Sequence, residues 1–373
     1  MVKKGSVVNP WEVSGDINYE KLIKEFGIEP LKELPPVFNK ELEYRRKIIF
    51  AHRDIQRVLL AIRDKKPFGM MTGLMPTGKC HIGHLMIMKQ MVFFQKLGAR
   101  VYIAVADIEA YNARGQSLED SRKIAEDYIL NYVAMGLDLN KCDLYFQSDR
   151  SKDAEKANAY YRLQNLLARY ATFNEFKAVY GDISPGKMLS ALLQAADMLH
   201  AQLPEFEGKP LPVIVPVGID QDPHLRLARD ISQKIKDFNF TQLSSIYTLF
   251  MPGLSGGKMS ASIPTSYIAP IDTPKEVEMK IKKYAFSGGQ ATLEEHRAKG
   301  GNPDVDVSFQ YLRMMFEEDD AKLAKIEADY RSGKLTTGEL KQYLIDKINK
   351  FLAKHQEKRE KAKGMVEKFI YKI

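Results

Sequence analysis

The sequence predicts an α/β protein built on a doubly wound parallel sheet, and three observations lead to this prediction. From Pro67 onward, short apolar runs of strand length alternate with longer stretches of helical periodicity. After about residue 275 the strand-like runs stop and helical patterns continue alone. Residues 1–65 differ from both regions, because they carry the single tryptophan, Trp11, and a proline-rich link. We therefore expect a Rossmann-like sheet with an appended N-terminal segment and an all-helical C-terminal region.

The composition of the chain limits its class. A chain of 373 residues with 45% hydrophobic content can bury sizeable cores. No apolar run approaches a membrane span and the N-terminus lacks the apolar core of a signal peptide, so a cytoplasmic protein without a membrane partner is expected. The two cysteines, Cys80 and Cys142, have no metal-type spacing and cannot form a disulfide framework. A net charge of +8 favours a polyanionic partner, although many basic enzymes share it.

The N-terminal segment contains two stretches with a helical pattern. The first covers residues 19–26 and ends at a glycine, and the second is basic and covers residues 41–62. The second stretch includes His52-Arg53-Asp54, for which a charged helix face remains an alternative to a functional role. Trp11, before both stretches, is expected to pack as a clasp on the main body.

The stretch from Pro76 to His84 is a turn between a short buried strand, residues 67–74, and a helix that begins near residue 85. Glycine and proline allow the backbone to bend tightly there, and the new helix offers unpaired N–H groups to an anion. At this position His81 and His84 can donate hydrogen bonds to phosphate oxygens. Two histidines three residues apart could also form half of a metal site or a solvated turn.

Polar side chains follow the next strand, residues 101–106, at its carboxyl end. They are Asp107, Glu109 and Tyr111, and ligands of open α/β sheets bind beyond such ends. The pattern then predicts, in order, a helix at 118–135, a strand at 143–146 and helices over 152–180.

Two later segments place polar groups in apolar surroundings. The helix at 187–199 is apolar except for Gln194 and Asp197, which share one face and either stabilise the structure or bind a ligand. The strand at 212–217 continues into Gly218, Asp220 and Gln221, where a carboxylate commonly binds the ribose hydroxyls of a nucleotide.

The glycine-rich loop at 254–262 carries Lys258 and the hydroxyls of Ser260 and Ser262. Such a loop can move and bring positive charge onto a developing pyrophosphate, although simple turns also have this composition. Towards the C-terminus, residues 341–373 hold ten Lys or Arg against four Asp or Glu on a long helical pattern. An RNA-facing surface and a solvated helix face explain this excess equally well.

The turn His81-Ile82-Gly83-His84 resembles the first signature of class I aminoacyl-tRNA synthetases, and Lys258-Met259-Ser260-Ala261-Ser262 resembles their second signature. Over nearly its whole length the chain is similar to the tryptophan-specific synthetases of archaeal and eukaryotic type. The runs that carry this resemblance are Asn9-Pro10-Trp11-Glu12-Val13, Phe50-Ala51-His52-Arg53-Asp54, Ile219-Asp220-Gln221-Asp222-Pro223, Ala285-Phe286-Ser287-Gly288-Gly289, Glu294-Glu295-His296-Arg297 and Gly300-Gly301-Asn302-Pro303-Asp304-Val305-Asp306-Val307.

The resemblance implies activation of L-tryptophan by ATP with Mg²⁺ and transfer to tRNA(Trp), without a permanent cofactor or a metal site in the protein. It also implies a homodimer and three regions: an N-terminal appended segment and helix (1–65), a Rossmann-like catalytic domain (66–275) with a small connecting insertion (about 150–185), and a helical domain that binds the tRNA anticodon arm (276–373). The ATP-binding residues it implies are Trp11, Thr77, His81, Gly83, His84, Gly218, Asp220, Lys258 and Met259. The catalytic residues it implies are His81, His84, Lys258, Ser260 and Ser262. The amino-acid-binding residues it implies are Met71, Gly73, Glu109, Gln194, Asp197 and Gln221.

The chain departs from the family pattern at three positions. Ala261 replaces the second lysine of the general class signature, so positive charge would come from Lys258, Mg²⁺ and either Lys177 or Lys187. Met71 and Ala104 replace the tyrosine and glutamine that hold the indole nitrogen in eukaryotic relatives. Because the surroundings of Asp197 resemble the bacterial enzymes, we predict that Asp197 accepts the indole N–H and that Met71 forms an apolar wall.

Three alternatives remain open at this point. A tyrosine-specific synthetase shares the architecture and an aspartate at position 197. A synthetase-like RNA-binding protein without catalysis, or a nucleotidyltransferase that does not use RNA, would share parts of the pattern. The intact His81, His84 and Lys258 count against the RNA-binding protein, and the second signature counts against the nucleotidyltransferase.

Overall fold

The computed structural model describes residues 19–257, 259 and 263–370, together with the backbone of two short strands near the N-terminus. The strands are β1 Val7–Val8, β2 Val13–Ser14, β3 Glu29–Pro30, β4 Ile49–Arg53, β5 Gly69–Leu74, β6 Arg100–Val105, β7 Cys142–Phe146, β8 Val213–Gly218 and β9 Ser244–Thr248. β1 and β2 pair with each other, and the other strands form a seven-stranded sheet in the order β3-β4-β9-β8-β5-β6-β7.

Helices surround this sheet. Up to β9 they are α1 Tyr19–Phe26, α2 Leu42–Arg45, α3 Gln56–Arg63, α4 Ile82–Lys96, α5 Asp107–Arg114, α6 Leu118–Met135, α7 Ala154–Leu167, α8 Phe173–Tyr180, α9 Pro185–Leu199, α10 Pro204–Glu207 and α11 Asp222–Lys234. After β9 they are α12 Pro274–Tyr284, α13 Leu293–Lys299, α14 Val307–Tyr311, α15 Asp320–Arg331 and α16 Thr337–Ile370. None of the helices described is both long enough and apolar enough to cross a membrane.

The sheet confirms the predicted fold class. β9, β8, β5, β6 and β7 run parallel, and the chain winds from β5 outward to β6 and β7 before it returns to β8 and β9 on the other side. β3 and β4 extend the β9 edge as antiparallel strands. Two strands of the N-terminal segment, β3 and β4, therefore belong to the main sheet.

The prediction of one basic helix over residues 41–62 is wrong, since β4 lies between the short helices α2 and α3. Residues 49–53 pair with β9 in antiparallel register, with a bulge between Ile49 and Ala51, and both of these side chains are buried. Arg53 is not on a solvated helix face either. Its guanidinium donates to Asp222 at 3.0 Å and to the carbonyl of Phe26 at 2.8 Å, so it links β4 to the start of α11 and the end of α1.

Two hydrophobic cores lie on opposite faces of the sheet. Met70, Ile103 and Leu144 point into the core that contains α3, α4, α6 and α16. Their neighbours Met71 and Tyr145 point into the other core, which is built by α7, α9 and α11. This alternation follows from the two-residue period of strands, and each parallel strand therefore supplies one face to each core.

The sheet opens at the point where its strand order reverses. β5 and β8 pair at Gly69–Val213 and Met70–Ile214, and no pairing between them continues towards their carboxyl ends. In contrast, β5 remains paired with β6 as far as Leu74. A crevice therefore opens between the carboxyl ends of β5 and β8, the usual binding position in open α/β sheets.

The glycine-rich run at 285–307 forms the close-packed centre of the helical region. Asp306 accepts hydrogen bonds from the Gly288 amide at 2.8 Å and the Tyr330 hydroxyl at 2.7 Å, and it caps α14. A Cβ atom at Gly288 would overlap the carbonyl oxygen of Asn302. The most family-specific run of the sequence therefore has a structural role, and its glycines are required for close approach.

We predict that Gly288→Ala lowers the free energy of unfolding by about 1–3 kcal/mol, because a backbone carbonyl cannot move aside easily. Gly364→Ala is the matched control, since Gly364 is exposed in α16 and a Cβ there meets no atom within 4 Å. That substitution should stabilise the protein by roughly 0.5–1 kcal/mol through helix propensity. Thermal and denaturant unfolding of both variants measures the difference, and equal stability of the two would contradict the packing assigned to Gly288.

Candidate active site

A cavity of about 720 Å³ fills the crevice at the carboxyl ends of the parallel strands. Its walls are residues 71–75 of β5 and the following turn, residues 215–218 of β8, and residues 248–251 after β9. The start of α4, parts of α5, α6, α9 and α11, and Gln147 after β7 contribute further lining. The cavity therefore lies where the sheet topology positions a ligand.

All of the predicted site residues that the structure describes line this one cavity. They are Met71, Gly73, Thr77, His81, Gly83, His84, Glu109, Gln194, Asp197, Gly218, Asp220, Gln221 and Met259. Four other predicted residues lie outside the described part of the chain, namely Trp11, Lys258, Ser260 and Ser262. Lys177 and Lys187 do not line the cavity, and the Lys187 ammonium donates to the carbonyl of Asp182 at 2.9 Å. The individual roles assigned to the lining residues stay predictions.

The turn before α4 fixes the orientation of both histidines. The backbone N–H of His81 donates to Nδ1 of His84 at 3.1 Å, and the two rings stack with their centroids 3.7 Å apart. The His84 ring also meets the edge of Tyr128 at 5.2 Å. Because Nδ1 of His84 accepts, the neutral ring carries its proton on Nε2 and offers a donor at the helix N-terminus.

The opposite wall requires a glycine at position 218. A Cβ atom there would lie 2.5 Å from a carboxylate oxygen of Asp220 and 3.0 Å from the ring of Phe250. The backbone N–H of Phe250 donates to the Tyr19 hydroxyl at 3.2 Å, so α1 packs beside this part of the cavity. The short side chain at 218 lets a carboxylate and an aromatic ring approach the same backbone.

Hydrogen bonds join the two arms of the glycine-rich loop at its base and attach this base to the helical region. Leu254 donates to the Ser266 carbonyl at 2.8 Å, which joins the two arms of the loop. The Tyr311 hydroxyl donates to the Pro252 carbonyl at 2.8 Å, and the Phe286 amide donates to the Leu254 carbonyl at 2.7 Å. At the tip, a Cβ on Gly83 would lie 3.2 Å from Sδ of Met259. The two signature segments therefore lie against each other, with the helical region behind the loop.

Asp197 is buried and accepts hydrogen bonds from three side chains. Its Oδ1 accepts from Tyr145 at 2.6 Å and from Tyr160 at 2.5 Å, and its Oδ2 accepts from the Gln147 amide at 2.7 Å. Burial raises the pKa of this carboxyl to about 6, although the three hydrogen bonds favour the ionised form. None of these three hydrogen-bond donors was predicted from the sequence.

Glu109 lines the same cavity as Asp197. Burial, together with the charge of Asp197, raises the pKa of Glu109 to about 7, and the nearby Arg114 opposes this shift. Arg114 also lines the cavity and was not singled out from the sequence. A carboxylate in such a position can bind an ammonium group, because the bound cation restores its charge.

Two buried polar atoms indicate that this region is built for a ligand. Oε1 of Gln194 and Nδ1 of His224 have no hydrogen-bond partner among the described residues, and both side chains line the cavity. Burial lowers the pKa of His224 to about 4, so its ring is neutral and can accept a hydrogen bond. An unpaired buried polar atom is unfavourable by about 1–3 kcal/mol unless a ligand pairs it. His224 was not predicted as a site residue from the sequence. A histidine in the first turn of a helix that follows a strand is the sequence signal that could have indicated it.

No three His, Cys, Asp or Glu side chains in the described part of the chain group in a way that could hold a metal ion. The arrangement supplies donors and a helix N-terminus on one side, and acceptors for a cation on the other. It therefore suits a ligand pair in which an anionic group meets the end of a molecule that carries an ammonium group.

The chain matches the model of the family described as tRNA synthetases class I (W and Y) over residues 63–353. It is 40% identical to the Tryptophan--tRNA ligase of Methanocaldococcus jannaschii over 369 residues, which is 97% of this chain and 98% of the relative. It is 41% identical over 378 residues to the Tryptophan--tRNA ligase of Sulfurisphaera tokodaii, covering 98% of this chain and 95% of the relative.

Solved structures of tryptophanyl-tRNA synthetases are also similar to this chain. The crystal structure of tryptophanyl-tRNA synthetase from Aeropyrum pernix superposes with a TM-score of 0.88 at 39% identity, covering 94% of this chain and 95% of that one. The tryptophanyl-tRNA synthetase from Giardia lamblia superposes with a TM-score of 0.83 at 30% identity, covering 94% of this chain and 95% of that one. The similarity thus extends over nearly the full length of both proteins.

Proposed function

This chain belongs to the class I tRNA synthetases of the tryptophan and tyrosine family, and on that premise we propose that it activates L-tryptophan with ATP and charges tRNA(Trp). The proposal is carried by the full-length similarity to tryptophan enzymes. The cavity agrees with it, because a buried acceptor, Asp197, and the apolar side chain of Met71 both line it. The tyrosine alternative has no such support, because the relatives named above are tryptophan enzymes.

The nucleotide half of the cavity suits phosphoryl chemistry. In the first step the tryptophan carboxylate attacks the α-phosphate of ATP, the bond to the leaving pyrophosphate breaks, and tryptophanyl-adenylate forms. Such in-line displacement depends on positioning and on neutralising charge more than on covalent catalysis. We propose that Nε2–H of His84 and the amides of the first turn of α4 hold phosphate oxygens, and that Gly218 and Asp220 bind the ribose. Mg²⁺ enters with the nucleotide as part of the substrate.

The signature loop completes this half of the site. We propose that Lys258, Ser260 and Ser262 approach the pyrophosphate, in agreement with the family signature, and that Trp11 covers the ATP from the N-terminal side. The attachments of the loop base to Ser266, Tyr311 and Phe286 support this proposal, since they hold the arms of the loop next to the turn at His81–His84. In the second step a ribose hydroxyl at the 3′ end of the tRNA attacks the carbonyl carbon of the adenylate, the ester forms, and AMP leaves with the anhydride oxygen.

The amino-acid half suits tryptophan at both of its ends. An ammonium group has three donors, and we propose that Glu109, Gln194 and Gln221 receive them, with His224 as a further acceptor. The indole N–H would donate to Asp197, and Met71 would contact the apolar ring. A donor-only indole suits a site where a buried carboxylate is paired with an apolar wall.

The C-terminal helical region, residues 276–373, is proposed to bind the anticodon arm of the tRNA. Its basic excess of ten Lys or Arg against four Asp or Glu over residues 341–373 would contact phosphates in a salt-sensitive way. The division of the chain at about residues 65 and 275 remains part of this proposal. A cytoplasmic location follows from tRNA charging as the proposed role.

A homodimer is proposed on the basis of exposed apolar side chains on the connecting insertion and on the neighbouring helix α9. Leu166 of α7, Phe173 of α8 and Leu189 of α9 are exposed, and the Gln164 amide donates to the Leu189 carbonyl at 3.3 Å, which brings α7 and α9 together. Sedimentation equilibrium would measure the mass directly, and a monomer at micromolar concentration would contradict this proposal.

ATP–pyrophosphate exchange with each of the twenty amino acids tests the proposed function. We expect exchange with tryptophan to exceed exchange with tyrosine by at least a thousandfold in kcat/KM, because ring size and the polar oxygen of the phenol both count against tyrosine. Charging of a tRNA(Trp) transcript should follow. Preferential exchange with tyrosine would overturn the assignment, and no exchange with any amino acid would favour an RNA-binding protein without catalysis.

The raised pKa of Glu109 predicts a dependence of activation on pH. Below pH 7 this carboxyl gains a proton and no longer attracts the ammonium group, so kcat/KM for tryptophan should fall roughly tenfold for each pH unit well below 7. Glu109→Gln, which cannot ionise, should have a low kcat/KM at pH 8 and a much flatter profile between pH 8 and 6. A wild-type profile that stays level down to pH 5 would contradict the role of Glu109.

A further inference from the structure

We propose that Tyr145, Tyr160 and Gln147 are positioning residues that hold Asp197 with one open acceptor site, directed at the indole N–H of the substrate. This inference rests on the proposed function and concerns residues that the family signatures do not include. None of the three needs to touch the substrate. They act through Asp197, by fixing its orientation and by limiting how many donors it can still accept.

The hydrogen-bond geometry leaves one acceptor position on the carboxylate. An ionised carboxylate has about four acceptor positions, two on each oxygen. Oδ1 of Asp197 is used twice, by the hydroxyls of Tyr145 and Tyr160, and Oδ2 is used once, by Gln147. The position that remains is on Oδ2. Since the indole group has a single donor and no acceptor, one open position matches it.

A second layer of charged and aromatic groups holds Tyr145 in place. The Arg150 guanidinium stacks on the Tyr145 ring at 3.8 Å and forms two hydrogen bonds with Asp143, at 3.1 and 2.8 Å. Nη2 of Arg150 also lies 2.7 Å from Nε2 of His200. Because an arginine can only donate, Nε2 of His200 accepts, and its Nδ1–H donates to the backbone carbonyl of Asp197 at 2.9 Å. The same layer therefore holds both the tyrosine and the backbone of the aspartate.

Gln147 connects Asp197 to the other end of the amino-acid site. Its Oε1 accepts from the Glu109 backbone N–H at 3.3 Å, which turns its amide nitrogen towards Asp197. Gln147 is therefore oriented by the start of α5, the helix that carries the Glu109 carboxylate. This one side chain therefore links the backbone at Glu109 to the carboxylate of Asp197.

The ionisation of Asp197 depends on the groups that surround it. Tyr145 faces it from β7, Arg150 from the loop that follows, Tyr160 from α7, His200 from the end of α9, and Glu109 from α5. Asp143 lies behind these groups, where it pairs with Arg150. The hydroxyl donors lower the pKa of Asp197 against the effect of burial, so their removal should raise it. A protonated Asp197 would be a weaker acceptor for the indole and could turn its own O–H into the open position.

A pair of substrates isolates this effect from the titration of Glu109. Tryptophan and β-(benzo[b]thiophen-3-yl)alanine, in which sulfur replaces the indole N–H, share the ammonium end, so the ratio of their kcat/KM values in ATP–pyrophosphate exchange reports on Asp197. In the wild type we expect a ratio of about ten or more at pH 8 that falls as the pH drops through 6. In Tyr145→Phe and Tyr160→Phe the fall should begin at a higher pH, by about one unit in the double variant.

Tyr44→Phe serves as the matched control, because it removes a buried tyrosine hydrogen bond, 2.8 Å to Gln90, in the other core. Its ratio profile should coincide with that of the wild type. The inference is overturned if each single Tyr→Phe variant activates tryptophan with an unshifted ratio profile, even when its melting temperature falls. If the double variant does not fold, the two single variants decide the outcome. Failure of the proposed function would give a different result from failure of this inference, because the wild type itself would then not activate tryptophan.

Discussion

The pairing of one buried carboxylate, Asp197, determines much of the structure around the amino-acid half of the cavity. A carboxylate that is 1% exposed must be surrounded by donors or lose its charge. The donors come from β7, the segment after it and α7, and Arg150 and His200 form a second layer beneath them. Elements that are separate in the sequence are therefore tied to α9 through one side chain, and the pocket that results has a fixed polar point in apolar walls. Removing these donors would leave the packing of the second core in place but not the orientation of the acceptor.

The nucleotide half depends on a different constraint, the divergence of β5 and β8. Because these strands pair only near their start, the turn at His81–His84 and the wall at Gly218–Asp220 face each other across the crevice. The glycine-rich loop lies between these walls and the helical region, and backbone hydrogen bonds from Phe286 and a hydroxyl from Tyr311 attach its base. The same helical region packs through α16 on α6, where His355 contacts Asn131 at 2.8 Å and Arg359 contacts Asp127 at 2.6 Å. The helices behind the loop thus support both signature segments.

The sequence predicted the parallel strands β5, β6, β7 and β8 and the turn at His81–His84, because each depends on a local pattern: a strand, a tight turn or a helix start. Its resemblance to the family supplied most of the lining residues, and it did not indicate the parallel strand β9. It did not predict β4, since the partner strand β9 lies about 195 positions away and the basic residues around β4 imitate a helix face. It also missed Tyr145, Tyr160 and Gln147. Their separation from Asp197 is 52, 37 and 50 positions, and a tyrosine in an apolar strand or helix looks like an ordinary core residue until the fold brings its hydroxyl to a carboxylate. The glycines at 288, 300 and 301 belong to a run that resembles the family, and only the folded structure shows which atoms require a residue without a side chain there.

The central claim is that Asp197 accepts a hydrogen bond from the indole N–H at its remaining acceptor position. The most direct measurement is a crystal structure of the complex with L-tryptophan at a resolution that defines the indole ring orientation. The account predicts the indole nitrogen within about 3.2 Å of Oδ2 of Asp197, with the hydrogen bonds from Tyr145, Tyr160 and Gln147 unchanged. An indole nitrogen directed at another acceptor, with Asp197 still enclosed by its three donors, would contradict it.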